Sequence, residues 1–269
     1  MSFEDNLFKK YRERIKEFIK DSVDKSSTGG VVMGISGGID SSVAAQLCTE
    51  ALGSDRVFGV IMPSKSSQRS DIEDAESIVK KLGIDYKKIP LDNIISLFEH
   101  TLTGNGKISD RKVLGNLTAR VRMVILYYFA NSMNYLVCGT GNKSEIMCGY
   151  FTKYGDGGCD ILPIGDIYKT EIFEFAKYLG ISRKIIEKPP SAGLWVGQTD
   201  EQEMGITYRE LDSILMQVDN SSDIESNFSN FSDISKINKD SEIINKIFNF
   251  IKGSEHKRNL PEICKLNNL

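Results

Sequence analysis

The chain has 269 residues, 26% of them charged and 40% hydrophobic, with a formal net charge of -3. That suits an ordinary globular protein with one large core, and it offers no bulk basic field for nucleic acid. The opening MSFEDNLFKK has acids from the start and no apolar centre, so it does not read as a signal peptide. The longest apolar run, Val124 to Ala130, is too short to cross a bilayer.

Leu7, Tyr11, Ile15, Phe18 and Ile19 recur at helical spacing and predict an amphipathic helix from about Phe3 to Val23. Val31 to Ile35 reads as a buried strand, Val43, Leu47 and Ala51 as a helix face, and Val57 to Ile61 as a second strand. Ile72, Ala75, Val79 and Leu82 mark another helix, and Tyr86 to Ile89 a third, more exposed strand. Helices over Ile94 to Leu102 and Lys112 to Asn131 precede a strand at Tyr135 to Cys138. Alternation of this kind calls for a doubly wound α/β fold, a parallel sheet with helices on both faces.

Past Gly139 the texture changes. Gly149 to Gly158 is dense in glycine, and Lys188 to Gly205 is polar with glycine and proline, so each reads as a long functional loop. Asp219 to Asp240 is rich in Ser, Asn and Asp, yet Phe228, Phe231, Ile234 and Ile237 keep a spacing of three. The expectation is a core over about 1–206 and a small packed helical appendage over about 207–269. Five widely spaced cysteines without a Cys-x-x-Cys pair, and only two histidines, His100 and His256, argue against a disulfide framework or a zinc site. Buried thiols in a reducing cytoplasm are expected instead.

The most informative stretch is Gly34-Ile35-Ser36-Gly37-Gly38-Ile39-Asp40-Ser41-Ser42, which leaves a strand and enters a helix. Free amides and the helix dipole favour an anion there. Glycines let the backbone approach phosphates, and the serine hydroxyls add donors. The loop has no lysine, which excludes the Walker pattern, and it lacks Gly-x-Gly-x-x-Gly. Ser36 to Ser41 resembles the signature of the PP-loop ATP pyrophosphatases, Ser-Gly-Gly-x-Asp-Ser. The resemblance implies a Rossmann-like fold, a grip on the β- and γ-phosphates, and release of AMP and pyrophosphate.

The remaining motifs resemble ammonia-dependent NAD synthetases nearly end to end. They are Asn116-Leu-Thr-Ala-Arg120-Val-Arg-Met123, Gly139-Thr140-Gly-Asn-Lys-Ser-Glu145, Gly149-Tyr-Phe-Thr-Lys153-Tyr-Gly-Asp-Gly-Gly158, Lys188-Pro-Pro-Ser191-Ala-Gly-Leu-Trp195 and His256-Lys257-Arg258. The resemblance implies that a carboxylate of deamido-NAD attacks the α-phosphorus of ATP and that ammonia then displaces AMP. It also implies magnesium on Asp40 and Glu145, both placed on loops after predicted strands at one sheet edge. An N-cap for Asp40 and a solvated helix position for Glu145 are the plainer readings of the same residues.

Lys169, in the first turn of a predicted helix Tyr168 to Leu179, matches the family's ATP-phosphate lysine. A cation there opposes the helix dipole, which a bound phosphate explains and an exposed lysine tolerates. Thr140 and Ser191 match nucleotide contacts, serine standing where the family usually has threonine. Arg120, Lys153, Asp160, His256 and Lys257 match the deamido-NAD site. The loop with Trp195, Asp200, Glu201 and Glu203 is expected to cover the reacting centre, because an acyl adenylate must be shielded from water.

The helix Lys112 to Asn131 is apolar nearly all round, which predicts a covering partner and, with the resemblance, a homodimer. Two rivals are weighed. An RNA-thiolating or GMP-forming PP-loop enzyme would bring catalytic cysteines or a basic RNA surface in the thiolating case. A non-catalytic nucleotide sensor would lack the Ser-Gly-Gly-x-Asp-Ser loop.

Overall fold

Four parallel strands carry the architecture: β1 (Val31–Gly34), β2 (Val57–Ile61), β3 (Asp85–Lys88) and β4 (Leu136–Cys138), in the order β3-β2-β1-β4. The structure is a computed structural model that describes residues 3–104, 106–108, 110–195, 197–219 and 241–266. The chain winds outward from β1 to β3, then returns to place β4 on the other side of β1. Strand order therefore reverses between β1 and β4, the place where open α/β sheets bind ligands.

Alternation along β1 feeds two cores. Val31 and Met33 join one with α1 (Phe3–Lys25), α2 (Ile39–Leu52), α3 (Arg69–Leu82) and α7 (Lys169–Tyr178). Val32, with Val60 and Val137, joins the other, under α4 (Asp92–Thr103) and α5 (Arg111–Met133). Successive strand residues face opposite sides, so one apolar run serves both faces. β3 is exposed along its length, as an edge strand can be.

Beyond β4 come α6 (Lys143–Cys148), α8 (Arg183–Ile186), α9 (Asp200–Met204), α10 (Tyr208–Asp219), α11 (Ser241–Gly253) and α12 (Glu255–Arg258). Leu211, Ile214 and Leu215 of α10 pack with Ile244, Ile247 and Ile251 of α11 in a third cluster. Cys148 and Tyr168 attach that cluster to the core. The spacing at Phe228 to Ile237 lies outside the described residues.

The short α6 puts Glu145 on a helix, as the plainer of the two sequence readings has it, and not on a loop. It forms because Asn142 Oδ1 accepts the Glu145 amide at 3.0 Å while Glu145 Oε2 accepts the Asn142 amide at 3.2 Å. This reciprocal cap satisfies first-turn donors that would otherwise be orphaned. Asp40 and Glu145 thus sit on the first turns of α2 and α6, not on loops. Cys48, Cys138 and Cys148 are buried free thiols, whereas Cys159 is half-buried and Cys264 is exposed. Among the described residues no helix is long and apolar enough to cross a membrane.

Candidate active site

The turn from β1 into α2 is shaped by its glycines and serines. Gly37 has φ +80°, and a Cβ there would lie 2.2 Å from the Asp71 carbonyl oxygen, so no other residue fits. Gly38 caps α2 in an extended conformation and has no side chain to occupy the helix's first amides. Those amides remain for an anion. The serines divide their work differently from expectation. Ser41 and Ser42 are buried and donate to the Gly38 carbonyl at 3.0 and 2.6 Å, which braces the turn. Ser36 is exposed, 3.0 Å from Ser41 Oγ, and keeps its hydroxyl at the rim.

Lys169 enters from the first turn of α7 and is 1% exposed. Its ammonium donates to Asp40 Oδ2, lies 3.8 Å from Glu145 Oε1 and sits 5.4 Å from the centre of the Tyr208 ring. Asn142, fully buried, donates to Asp40 Oδ1 at 3.1 Å and so joins the two acids through one side chain. Asp200 of α9 completes the group, accepting the Tyr208 hydroxyl at 3.1 Å and the Ala192 amide at 3.0 Å. The Lys169 amide is fixed by Ser144 Oγ at 2.9 Å, and that hydroxyl donates to Asp212 at 2.5 Å.

Burial alone would lower the Lys169 pKa, but Asp40 and Glu145 outweigh it and hold the lysine charged. Burial pushes Glu145 up to about 8, with Asp40 adding to the rise and Lys169 opposing it. Burial likewise raises Asp200. Fully ionised, three carboxyls around one ammonium would carry an excess of negative charge, which a divalent cation would relieve. Among the described residues no group of three or more His, Cys, Asp or Glu is placed to hold a metal alone. Two carboxylates fit a magnesium ion that takes its other ligands from phosphate and water.

In the segment 188–205, the described residues 188–195 and 197–205 border this centre. Lys188 donates to the Gly37 carbonyl at 3.2 Å and to Asp71 at 2.8 Å, tying the base of the segment to the phosphate turn. Glu203 accepts the Tyr150 hydroxyl and the Gln198 amide, each at 2.8 Å. Ser191 is exposed, and its hydroxyl accepts the Gly193 amide at 3.1 Å. Thr140 is half-buried two residues past β4.

A second group of matched residues forms a cationic patch. Arg120 donates to the Lys153 carbonyl at 3.3 Å, and Lys153 Nζ donates to the His256 carbonyl. Lys257 points inward, donating to the Gly149 and Phe151 carbonyls at 2.7 and 2.8 Å. Asp160 stands apart from these four: it accepts the Val137 amide at 2.7 Å and the Tyr127 hydroxyl at 2.9 Å. Its oxygens brace β4 against α5 here, where the residue match implies a substrate contact. Sequence reasoning missed Asn142, Ser144, Tyr208 and Asp212. The Asn-x-x-Glu spacing of Asn142 and Glu145 was a readable capping signal, but nothing local marks Tyr208 or Asp212.

A family model described as NAD synthase matches residues 11–261. The chain belongs to that family. The NH(3)-dependent NAD(+) synthetase of Archaeoglobus fulgidus is 48% identical over 263 residues, covering 97% of this chain and 99% of the relative. Among solved structures, the NMN synthetase of Francisella tularensis superposes with a TM-score of 0.84 at 35% identity, covering 96% of this chain and 99% of that one. The NH3-dependent NAD synthetase of Campylobacter jejuni, solved with nitrate, gives 0.76 at 33% identity with the same coverage. Family membership accounts for the strand order and for the site's place beside β1 and β4.

Proposed function

We propose that the chain makes NAD from deamido-NAD, ATP and ammonia, releasing AMP and pyrophosphate. The observation that carries this reading is the convergence of the Gly34–Ser41 turn, Glu145 and Lys169 beside the reversal of strand order. The end-to-end likeness to ammonia-dependent NAD synthetases supports the choice of substrates. A substrate carboxylate oxygen attacks the α-phosphorus, the bond to pyrophosphate breaks, and an acyl adenylate results. Ammonia nitrogen then attacks the acyl carbon and AMP leaves.

The turn's amides and Lys169 hold the departing phosphates, with Thr140 and Ser191 on the nucleotide. Asp40 and Glu145 hold magnesium, which balances the triphosphate charge when bound. Arg120, Lys153, Asp160, His256 and Lys257 hold deamido-NAD, cations being suited to its phosphates and carboxylate. The segment 188–205 covers the adenylate. Residues 207–269 are an extension of a single domain, and two copies pair through α5.

The experiment is product analysis with ATP, magnesium, deamido-NAD and ammonium. NAD, AMP and pyrophosphate are expected in step, and ADP with phosphate would reject the adenylate route. The Francisella tularensis neighbour favours one second reading, amidation of the corresponding mononucleotide acid. Competition between the two acids for the same enzyme decides between them.

A further inference from the structure

A glycine inside a helix costs about 1 kcal/mol relative to alanine unless something requires it. Gly115 lies in the second turn of α5, is buried, and has no positive φ to account for it. What faces it is the segment over the active centre. A Cβ on Gly115 would meet Leu194 Cδ1 at 3.1 Å and Leu194 Cβ at 3.2 Å. Those distances are tight enough that Leu194 would have to retreat.

Leu194 is held in place from both sides. Its amide donates to Gln198 Oε1 at 2.8 Å, and Gln198 is linked through Glu203 to Tyr150. The preceding carbonyl, that of Gly193, accepts from Ser66 Oγ at 2.9 Å, in the loop between β2 and α3. The segment is thereby pinned beside Leu194 to two different parts of the core. Between those pins the Leu194 side chain seats in a notch that exists because α5 carries no Cβ at position 115.

We propose that Gly115 and Leu194 form the latch of an active-site lid, and that this contact decides how much adenylate is lost to water. The inference rests on the reaction proposed above. Loss means that water oxygen bonds to the acyl carbon, the bond to AMP breaks, and the acid is regenerated with two protons released. The net uncoupled reaction is ATP and water to AMP and pyrophosphate. Both residues are positioning residues that keep water out by holding the lid shut.

The test counts AMP and amide separately for the full chain with ATP, magnesium, deamido-NAD and limiting ammonium. The wild type is expected to release close to one AMP per amide. Leu194→Ala removes the knob and Gly115→Ala fills the notch. Each is expected to raise the AMP-to-amide ratio severalfold, on the order of tenfold if the lid contact is lost outright. The excess AMP depends on deamido-NAD. Gly115→Ala is also expected to melt at or above the wild-type temperature, since alanine is the better helix former. That separates a lid effect from a folding defect. A wild type that makes amide while both variants keep the wild-type ratio overturns the latch alone, even if their rates fall. A wild type that makes no amide sinks the reaction and the latch together.

Discussion

Lys169 Nζ lies 3.8 Å from Glu145 Oε1 while the same ammonium donates to Asp40, so one lysine binds together the first turns of α2, α6 and α7. All three turns come from the edge where strand order reverses. The lysine opposes its own helix dipole, and the acids around it supply the compensation. Lys169→Met is expected to strand those acids without their cation. Removing one partner of a buried pair costs about 3–5 kcal/mol, so the variant should melt lower. Adding Asp40→Asn should recover part of the loss. Thermal unfolding of the single and double variants checks both statements, and a single variant as stable as wild type would refute the pairing.

Asp40→Asn and Glu145→Gln are both expected to lose activity, and Glu145→Gln to do so without losing stability. Glu145 is raised by burial first and Asp40 second, so the amide removes a group whose charged form is poorly solvated. Ligand-free Glu145→Gln should melt at or above wild type. Turnover should fall for each, by roughly a hundredfold if one transition-state interaction worth about 3 kcal/mol is lost. Steady-state rates at limiting magnesium measure this, and wild-type turnover in either variant would reject its role.

Most of the architecture was legible because it depends on local periodicity. The runs Val31 to Ile35 and Val57 to Ile61 announced buried strands, and the glycine turn after the first marked the place where Asp40 meets Asn142 and Lys169. The burial of Lys169 was not legible. It depends on Tyr208, Asp200 and Asn142 arriving from separate elements, and no window around Lys169 contains them. The bracing of the turn by Ser41 and Ser42 was not legible for a related reason. A hydroxyl in a phosphate turn looks like a ligand donor until the Gly38 carbonyl is seen beneath it.

Asp74 governs behaviour in acid. It is 5% exposed and bridges Lys184 at 2.6 Å and Lys188 at 2.7 Å, holding α3 to α8 and to the lid base. Burial would raise its pKa, but the hydrogen bonds from both lysines outweigh that and lower it. A depressed carboxyl contributes stability above its ordinary pKa and loses it as pH falls through the folded value. Asp74→Asn should therefore cost about 2 kcal/mol near neutrality. The two proteins should begin to converge below about pH 4 and meet only once pH falls below the lowered folded value. Denaturant melts across pH test this, and a difference that persists in strong acid would contradict it.

Nitrogen supply gives a simpler expectation. The NH(3)-dependent NAD(+) synthetase of Archaeoglobus fulgidus is covered over 99% of its length. The chain should use ammonium well and glutamine poorly. Amide formation with each nitrogen source, in preparations free of glutaminase, settles the preference. Efficient use of glutamine by the purified chain would overturn it.

The last prediction concerns assembly. On α5, Val124 is 61% and Tyr128 66% exposed, one helical turn apart. Neighbouring α4 exposes Leu97 and Leu102, each at 66%. The N-terminal helix does not cover this face: Phe8 of α1 stacks on Phe175 of α7 at 5.5 Å. An apolar face such as that of Val124 and Tyr128 marks an interaction surface more often than a solvated one. A second copy of the chain is the simplest partner, since a two-fold axis can set the same patch against itself. Arg120 lies one turn before Val124 and contacts Lys153, so pairing should order the cationic patch as well. Light scattering with size exclusion should report about twice the 30.1 kDa chain mass. Val124→Asp with Tyr128→Asp should shift the equilibrium to monomer and raise KM for the dinucleotide more than for ATP. A wild type that stays monomeric at assay concentration with full activity would dismiss the dimer.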